Sequence, residues 1–419
     1  MASGTSLHLP HTRRSTPVDG TLLFLALFCS YVGLLGLAQL AGSGLLKALA
    51  NAWAVLIFGL LAGHWLLSGR RPQPAGGLAA GFAVFYTGMA CTLVVNPQVA
   101  AWNELLKILL VPLFLVFGAA FERGRVQAAW QQPAVRLCFW LLVAVPLAVF
   151  AVQLVRAGFV IDGTREAGVF SNRNNAALYA VTLLGLLGVL RGQPVRSVLL
   201  YVLVGVMFGT LGVLLAVLLA LLLGVGRRRE LLVLLVVCAL GTAGYLLFPD
   251  VGPYSRITPV VQSVQYLADG RIDLRTVTFA QLVLLLKTTD LSFLFRLKHW
   301  LDLWDLYAAA SPYQWFFGFG VSQSVPMSRL HLVPHNDYVR FLFEFGLFGL
   351  AGFVWLVWRA IVRSGRGWQT VPLLVVAIYC FSENLIGNYT AMAIFFFSAG
   401  ALAQRRADAV RPPPRADVA

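Results

Sequence analysis

The sequence predicts an all-α polytopic membrane protein, and three observations lead there. Hydrophobic residues make up 59% of the chain and charged residues 12%. Uncharged apolar runs, each long enough or nearly so to cross roughly 30 Å of hydrocarbon, recur from end to end. Lys and Arg fall mostly in short clusters between those runs. No water-soluble domain needs so much apolar surface. The formal net charge of +15 raises the question of nucleic acid. Bases gathered at the ends of apolar runs are instead the pattern that orients helices in a bilayer. The expected surroundings are therefore membrane lipids, with no nucleic-acid partner.

The elements follow in chain order. Residues 1–19 are polar and form an expected cytoplasmic tail. Apolar runs follow at about 20–42, 47–68, 77–96, 103–121, 136–155, 174–190, 197–226, 230–248, 340–358, 369–387 and 389–404. The first is long for a signal-peptide core and no convincing cleavage site precedes further hydrophilic sequence, so it reads as an uncleaved span. The 197–226 run is too long for one ordinary span and reads as two short helices meeting near Phe208-Gly209-Thr210. That gives about twelve transmembrane helices: nine within 20–248, one long periplasmic loop at 249–339 between spans nine and ten, three more within 340–404, and a tail at 405–419. The five cysteines, Cys29, Cys91, Cys138, Cys238 and Cys380, all lie in apolar runs without CxxC spacing. They read as small core side chains and not as disulfides or metal ligands.

Charge placement gives the topology. Arg13/Arg14, Arg70/Arg71, Arg123/Arg125/Arg136, Arg191/Arg196, Arg227/Arg228/Arg229, Arg359/Arg363/Arg366 and Arg405/Arg406 occupy alternate connections. With twelve spans they share one face, which places both termini in the cytoplasm. Bases on the other face then need a different explanation. They are Arg156, Arg165 and Arg173 in the 156–173 loop, and Arg256, Arg271, Arg275, Lys287, Arg296, Lys298, Arg329 and Arg340 in the long loop; Lys47 and Lys107 lie near outer span ends. A long loop tolerates bases as solvated surface, so that reading stays open there. An anionic ligand is the alternative, because Arg pairs bidentately with phosphate.

Within the long loop, Thr276 to Lys287 is apolar but too short to span, and reads as an interfacial helix. Phe295 to Tyr307 has helical periodicity, with Leu297, Trp300, Leu301 and Trp304 on one face. Phe317-Gly318-Phe319-Gly320 breaks it. The loop closes with His335-Asn336-Asp337-Tyr338, which runs directly into the next apolar stretch.

These residues, in this order, resemble the bacterial O-antigen ligase and O-antigen polymerase superfamily. The resemblance rests on Arg296 with Trp300, Gly318-Phe319-Gly320, His335-Asn336-Asp337-Tyr338 and Glu344-Phe345-Gly346-Leu347-Phe348-Gly349. It extends to Gly168-Val169-Phe170-Ser171-Asn172-Arg173-Asn174, followed by Asn175-Ala176-Ala177-Leu178-Tyr179. It is clearest over about 160–350. Two departures stand out: Arg173 occupies a position where the family usually has Pro, and the family's Ser-Arg-Gly between the two short helices is here Thr210-Leu211-Gly212, without the Arg. Arg173 is the expected replacement for that charge.

The resemblance implies a glycosyltransferase at the periplasmic face of the bacterial inner membrane. Such an enzyme moves a glycan from undecaprenyl pyrophosphate to a hydroxyl of lipid A-core, as a ligase, or of a growing polysaccharide, as a polymerase. No cofactor and no metal are expected. His335 is the expected base, since imidazole is poised for proton transfer near neutral pH. Arg296, Arg165 and Arg173, with Arg256 and Arg275, are expected to meet the pyrophosphate, and Asn172, Asn174, Asn336 and Asp337 to orient sugar or acceptor, with Asn336 and Asp337 alternatively orienting the imidazole. His299 and His331 are competitors for the base. The Asp269/Asp273 and Asp302/Asp305 pairs read as solvated surface or salt bridges, not a metal site. Glu383, near the outer end of the eleventh run, reads either as functional or as an inter-helix hydrogen bond. A twelve-span transporter is the rival class, but such folds usually repeat in two halves and the long loop has no counterpart in the first half.

Overall fold

The computed structural model describes residues 20–68, 78–120, 123–159, 167–170, 172–208, 210–224, 228–247, 257–288, 291–365 and 367–410. Every element among them is helical, apart from isolated bridges pairing Val99 with Val321 and Ala167 with Phe170. The helices are α1 (Gly20–Ala41), α2 (Gly44–Leu67), α3 (Leu78–Val95), α4 (Trp102–Leu110), α5 (Phe114–Ala120), α6 (Arg123–Gln131), α7 (Pro133–Arg156) and α8 (Arg173–Arg191). After them come α9 (Val198–Met207), α10 (Leu211–Gly224), α11 (Arg228–Leu247), α12 (Ile257–Ala268), α13 (Phe279–Leu286), α14 (Ser292–Ala308), α15 (Pro312–Phe317) and α16 (Ser324–Met327). The last three are α17 (Asp337–Ser364), α18 (Val371–Tyr379) and α19 (Tyr389–Val410).

Six helical stretches among the described residues are long and apolar enough to cross a membrane: α1, α2, Trp102–Ala120, α7, α8 and α17. The third is α4 joined to α5 through a single 3₁₀ turn, Val111–Leu113, whose Pro112 lacks the amide that an unbroken helix needs. Shorter apolar helices occupy Ala80–Val95, Val198–Met207, Leu211–Gly224 and Tyr389–Ala403. The run beginning at Ser197 is two helices with the break at 208–210, where the Thr210 amide reaches back to the Gly205 carbonyl at 3.0 Å. Of the expected hinge residues, Gly209 lies outside those described.

The core is aromatic and centred on α19. Phe397 stacks on Phe24 with ring centroids 4.0 Å apart, and Tyr389 lies parallel to Phe28 at 5.8 Å. Helices α5 and α19 touch backbone to backbone, because a Cβ on Gly400 would come within 2.1 Å of the Leu115 carbonyl oxygen. Small residues permit that approach where lipid supplies no hydrophobic drive between helices.

The outer segment has a small core of its own, in which Ile272, Leu274, Leu282, Leu286 and Leu294 pack together. Helix α13 forms where an interfacial helix is expected and opens with a Thr278–Gln281 capping box. Helix α14 also forms as expected: Leu297 and Leu301 of the apolar face pack half-buried on this small core, and further residues are fully buried. Leu294, His299, Leu303 and Tyr307 point inward, and Trp304 is exposed. The helix is wedged between two clusters, the small outer core on one side and Phe343 of α17 on the other. Amphipathic spacing alone does not reveal the second contact.

Two glycine motifs interlock to fix this outer segment. Phe319 and Gly320 donate their amides to the carbonyls of Phe343 and Glu344 at 2.9 and 3.0 Å. Gly346 sits inside α17 at φ +67°, making a kink there, and Gly318 follows α15 at φ +73°. A Cβ at Gly318 would lie 2.4 Å from the Glu344 carbonyl carbon, and one at Gly346 would lie 2.4 Å from the Phe316 carbonyl carbon. Thr92 and Asn96 on and after α3 bind the Phe317 and Gly318 carbonyls at 2.8 and 2.6 Å. The Gly-x-Gly turn and the Glu-x-Gly helix entry, far apart in sequence, are therefore two halves of one joint.

Candidate functional site

Three outer segments converge on a carboxylate that sits between helices. Helix α18 stops at Tyr379, so Glu383 lies in the connection at 380–388 and not within a span as the hydropathy suggests. Its side chain is 3% exposed. The Arg296 Nη2 from α14 donates to Glu383 Oε1 at 2.8 Å, and Asn174 Nδ2 from the first turn of α8 donates to the same oxygen. His335 Nδ1, from the loop just before α17, meets Glu383 Oε2 at 3.1 Å. Of the ten residues nominated from sequence as the site, three share this carboxylate.

Local geometry brings them there. Asn172 caps α8, its side chain accepting from the Asn175 amide at 2.8 Å, and this places Asn174 in the opening turn. Asn336 caps α17 in the same way, accepting from the Val339 amide at 3.0 Å, so His335 is held one residue ahead of the helix. Asp337 is fully buried. Its Oδ2 accepts from the amides of Leu385 and Ile386 at 2.7 and 3.0 Å, while its own amide donates to the Cys380 carbonyl at 2.7 Å. These bonds clamp the connection carrying Glu383 onto the start of α17. Asn172, Asn336 and Asp337, nominated from sequence to orient a sugar, have side-chain oxygens engaged in building the site.

Burial pushes the Glu383 carboxyl up. The hydrogen bond from His335, the charges of Arg296 and His335, and the bond from Asn174 outweigh it and hold the group below the ordinary carboxylate value. Glu383 is therefore ionised near neutrality. A carboxylate only accepts, so His335 Nδ1 carries the proton it shares with Glu383, and Nε2 is left with the lone pair. That is the tautomer a general base needs. His335 is 34% exposed at its side chain and Arg296 26%, so both remain reachable while the carboxylate, at 3%, does not.

The other nominated residues lie elsewhere. Arg275 is exposed and forks onto Asp305 at 2.9 and 2.8 Å, pinning the 271–278 turn to α14. Arg329 binds Asp302 through its amide at 2.7 Å and its Nε at 3.2 Å. Asp302 and Asp305 thus serve as salt bridges. Arg173 opens α8 beside Asn174 and is half-buried. Arg165 and Arg256 lie outside the described residues. Of the competing histidines, His299 is fully buried, and neither ring nitrogen has a hydrogen-bond partner among the described residues. Burial lowers its proton affinity, nearby Asp302 raises it and His335 lowers it, leaving a net depression. The Phe295 ring separates His299 from His335, with centroids 6.2 and 6.4 Å away.

A second charged network lies beneath the same connection. Arg340, 2% exposed, contacts Glu344 Oε1 at 3.2 Å and Glu104 Oε2 at 3.4 Å, and Lys107 bonds Glu104 Oε1 at 2.8 Å. Ser324 donates to Glu344 Oε1 at 2.5 Å. A Cβ on Gly387 would lie 3.0 Å from Glu104 Oε2. Two bases counted from sequence as outer-face cations, Lys107 and Arg340, are neutralised here. Glu104 is one helical turn from Lys107 and Glu344 one turn from Arg340, while the Arg340–Glu104 contact joins residues more than two hundred positions apart.

Next to the α8 end of the site is an apolar cavity of about 320 Å³ between α7, α8 and α9. Ala167, Phe170 and Ala176 line it near Asn174, and Leu187, Leu200 and Trp140 line it further along. Its origin is in the backbone: Pro146 interrupts the bonding of α7, and α9 ends after Met207.

Among the described residues no three His, Cys, Asp or Glu side chains come together to hold a metal. No family model matches the chain, and no curated protein matches it either.

Proposed function

We propose that this protein is a periplasm-facing glycosyltransferase of the O-antigen ligase type. In this reading it moves a glycan from undecaprenyl pyrophosphate onto a hydroxyl of lipid A-core, in the inner membrane of a bacterium. The observation that carries the reading is the meeting of His335, Arg296 and Asn174 on the buried carboxylate of Glu383. That cluster joins a base held in the correct tautomer to a cation able to meet a phosphate, at the end of membrane helices. The adjoining apolar cavity, of about 320 Å³, has room for a short stretch of a hydrocarbon chain.

The chemistry uses these residues directly. The acceptor oxygen attacks the anomeric carbon of the donor sugar, and its proton passes to His335 Nε2. As the new carbon–oxygen bond forms, the bond from that carbon to the pyrophosphate oxygen breaks, and its electron pair leaves with the pyrophosphate. Arg296, with Arg173 nearby, stabilises the growing phosphate charge. Glu383 accepts the Nδ1 proton's hydrogen bond throughout, so it stabilises the imidazolium that forms without itself becoming protonated. In this role Glu383 is a positioning residue.

The test is reconstitution in lipid with undecaprenyl-pyrophosphate glycan and lipid A-core. The expected result is transfer that survives a chelator and falls by about 10²–10⁴-fold in His335→Ala, the usual worth of a positioned base. Full activity in His335→Ala would overturn the reading. A deletion strain identifies the acceptor: lipid-linked polymer accumulates if the protein is a ligase, and single repeat units accumulate if it is a polymerase.

A further inference from the structure

We propose that the base is armed by the donor: an anion bound at Arg296 cancels that cation's hold on Glu383, and Glu383 then acts on His335 alone. This rests on the reading of Arg296 as a pyrophosphate contact and adds regulation to that site.

The geometry sets out the exchange. Glu383 gives Oε1 to Arg296 at 2.8 Å and to the neutral amide of Asn174, and Oε2 to the imidazole of His335 at 3.1 Å. The two therefore compete for one negative charge. Glu383 is enclosed and out of reach of a ligand, whereas Arg296 is partly exposed. A guanidinium has five donors. Arg296 spends Nη2 on Glu383 and its Nε is buried, so a ligand meets the guanidinium through the 26% of the side chain that is exposed. A phosphate oxygen can thus bind Arg296 without displacing it. In a low-dielectric setting a dianion beside the guanidinium cancels most of the field the carboxylate feels. The carboxylate charge then falls on the imidazole, which makes His335 the stronger base.

The other charged groups nearby do not blunt this coupling. On α17, Asp337 is occupied with the Leu385 and Ile386 amides, and Arg340 is balanced by Glu104 and Glu344. On α14, His299 stays neutral and lies behind the Phe295 ring. On α8, Arg173 is a further cation at the rim, beside Asn174, and adds to the attraction for the anion. The device has a chemical benefit: the base reaches full strength only when a donor head group is present.

The test uses the full chain in lipid nanodiscs, histidine labelled with ¹⁵N, and inorganic pyrophosphate at fixed neutral pH. The His335 signal is identified by its loss in His335→Gln. The expected result is a move of the His335 resonances toward imidazolium when pyrophosphate is added. In Arg296→Gln the resonances should lie nearer imidazolium before addition and not respond. In Glu383→Gln the response should be lost. Arg296→Lys and Glu383→Asp are the second pair should either neutral variant fail to fold; each keeps its charge and should retain a weakened response. An undiminished response in Glu383→Gln overturns the proposal, because the anion then acts on His335 directly. An undiminished response in Arg296→Gln overturns it too, as does no response in the unaltered protein. Glycan transfer without any pyrophosphate response leaves the proposed function standing and removes this inference. The response without transfer does the reverse.

Discussion

At the scale of single residues, the candidate site is built around a buried carboxylate that holds Arg296, Asn174 and His335, and in the proposed function His335 is the group that reacts. Replacing Glu383 by Gln keeps the shape but lets the amide donate as well as accept, so Nδ1 of His335 is no longer fixed as the protonated nitrogen. A fall in kcat within about 10²–10⁴-fold is expected, with the KM for the acceptor little changed, measured by steady-state transfer. Glu383 also makes acid stability predictable. Its folded-state proton affinity is held below the ordinary carboxylate value. Its ionisation therefore stabilises the fold fully above that ordinary value, and the contribution is lost as pH falls through the folded one. His299 titrates earlier. It is held below its ordinary value of 6.5, so its contribution is complete above that pH and declines below it. Thermal unfolding followed from pH 7 downward should show a first loss that His299→Phe removes and a second that Glu383→Gln removes. His335, Arg296 and Asn174 were legible in the sequence because each sits in an ordered polar motif. Glu383 carried only the signal of an acid in an apolar run, which fits an inter-helix hydrogen bond equally well. Its role depends on three distant partners. Asp337 illustrates the opposite error. It stands beside the histidine, yet its side chain binds two backbone amides. Asp337→Ala should cost about 1–3 kcal/mol of stability, the desolvation penalty of orphaned amides, before it alters sugar preference.

At the scale of elements, the joint between Gly318 and Gly346 determines whether His335 and Arg296 face one another. Helix α14 packs on Phe343 of α17 and bonds Glu383 through Arg296, and the turn that follows it is bonded to the Phe343 and Glu344 carbonyls. Both glycines have positive φ and both leave no room for a Cβ. Gly346→Ala pays for the backbone conformation and for the clash with the Phe316 carbonyl, about 1–3 kcal/mol for the first alone. The expected outcome is a lower unfolding temperature with loss of Arg296-dependent activity. A substitution at Gly44, where nothing lies within 4 Å of a Cβ, is the control and should change neither. Element positions were largely readable, since α13, α14 and the paired helices α9 and α10 all form where periodicity and length place them. Helix α14's second buried face was not, because packing against Phe343 is a contact made across the fold. The end of α18 was not either. Hydropathy continues smoothly through 380–388, and the turn there is held by Asp337, a residue that lies more than forty positions earlier.

At the scale of the whole molecule, the six long apolar helices and the shorter ones around them fit a multi-pass chain, and the cluster on Glu383 imposes a constraint on its orientation. Asn174, His335 and Glu383 belong to three separate connections, so those three must open on the same side of the membrane. The charge pattern makes the same demand independently. The Arg pairs at 70–71, 191–196 and 359–366 occupy the opposite connections, and the positive-inside bias places them in the cytoplasm. The cluster requires only that residues 174, 335 and 383 share a side; in the twelve-span topology expected from the charges, that side is the periplasm and both termini are inside. Single cysteines introduced at Ser68, Gln193 and Gly367 should react with a membrane-impermeant maleimide only after the membrane is opened. Cysteines at the exposed positions Gln98, Thr276 and Met327 should react in intact spheroplasts. Labelling of position 193 from outside would invert α8 relative to α17, separate Asn174 from His335 by the thickness of the bilayer, and dissolve the proposed site along with the topology.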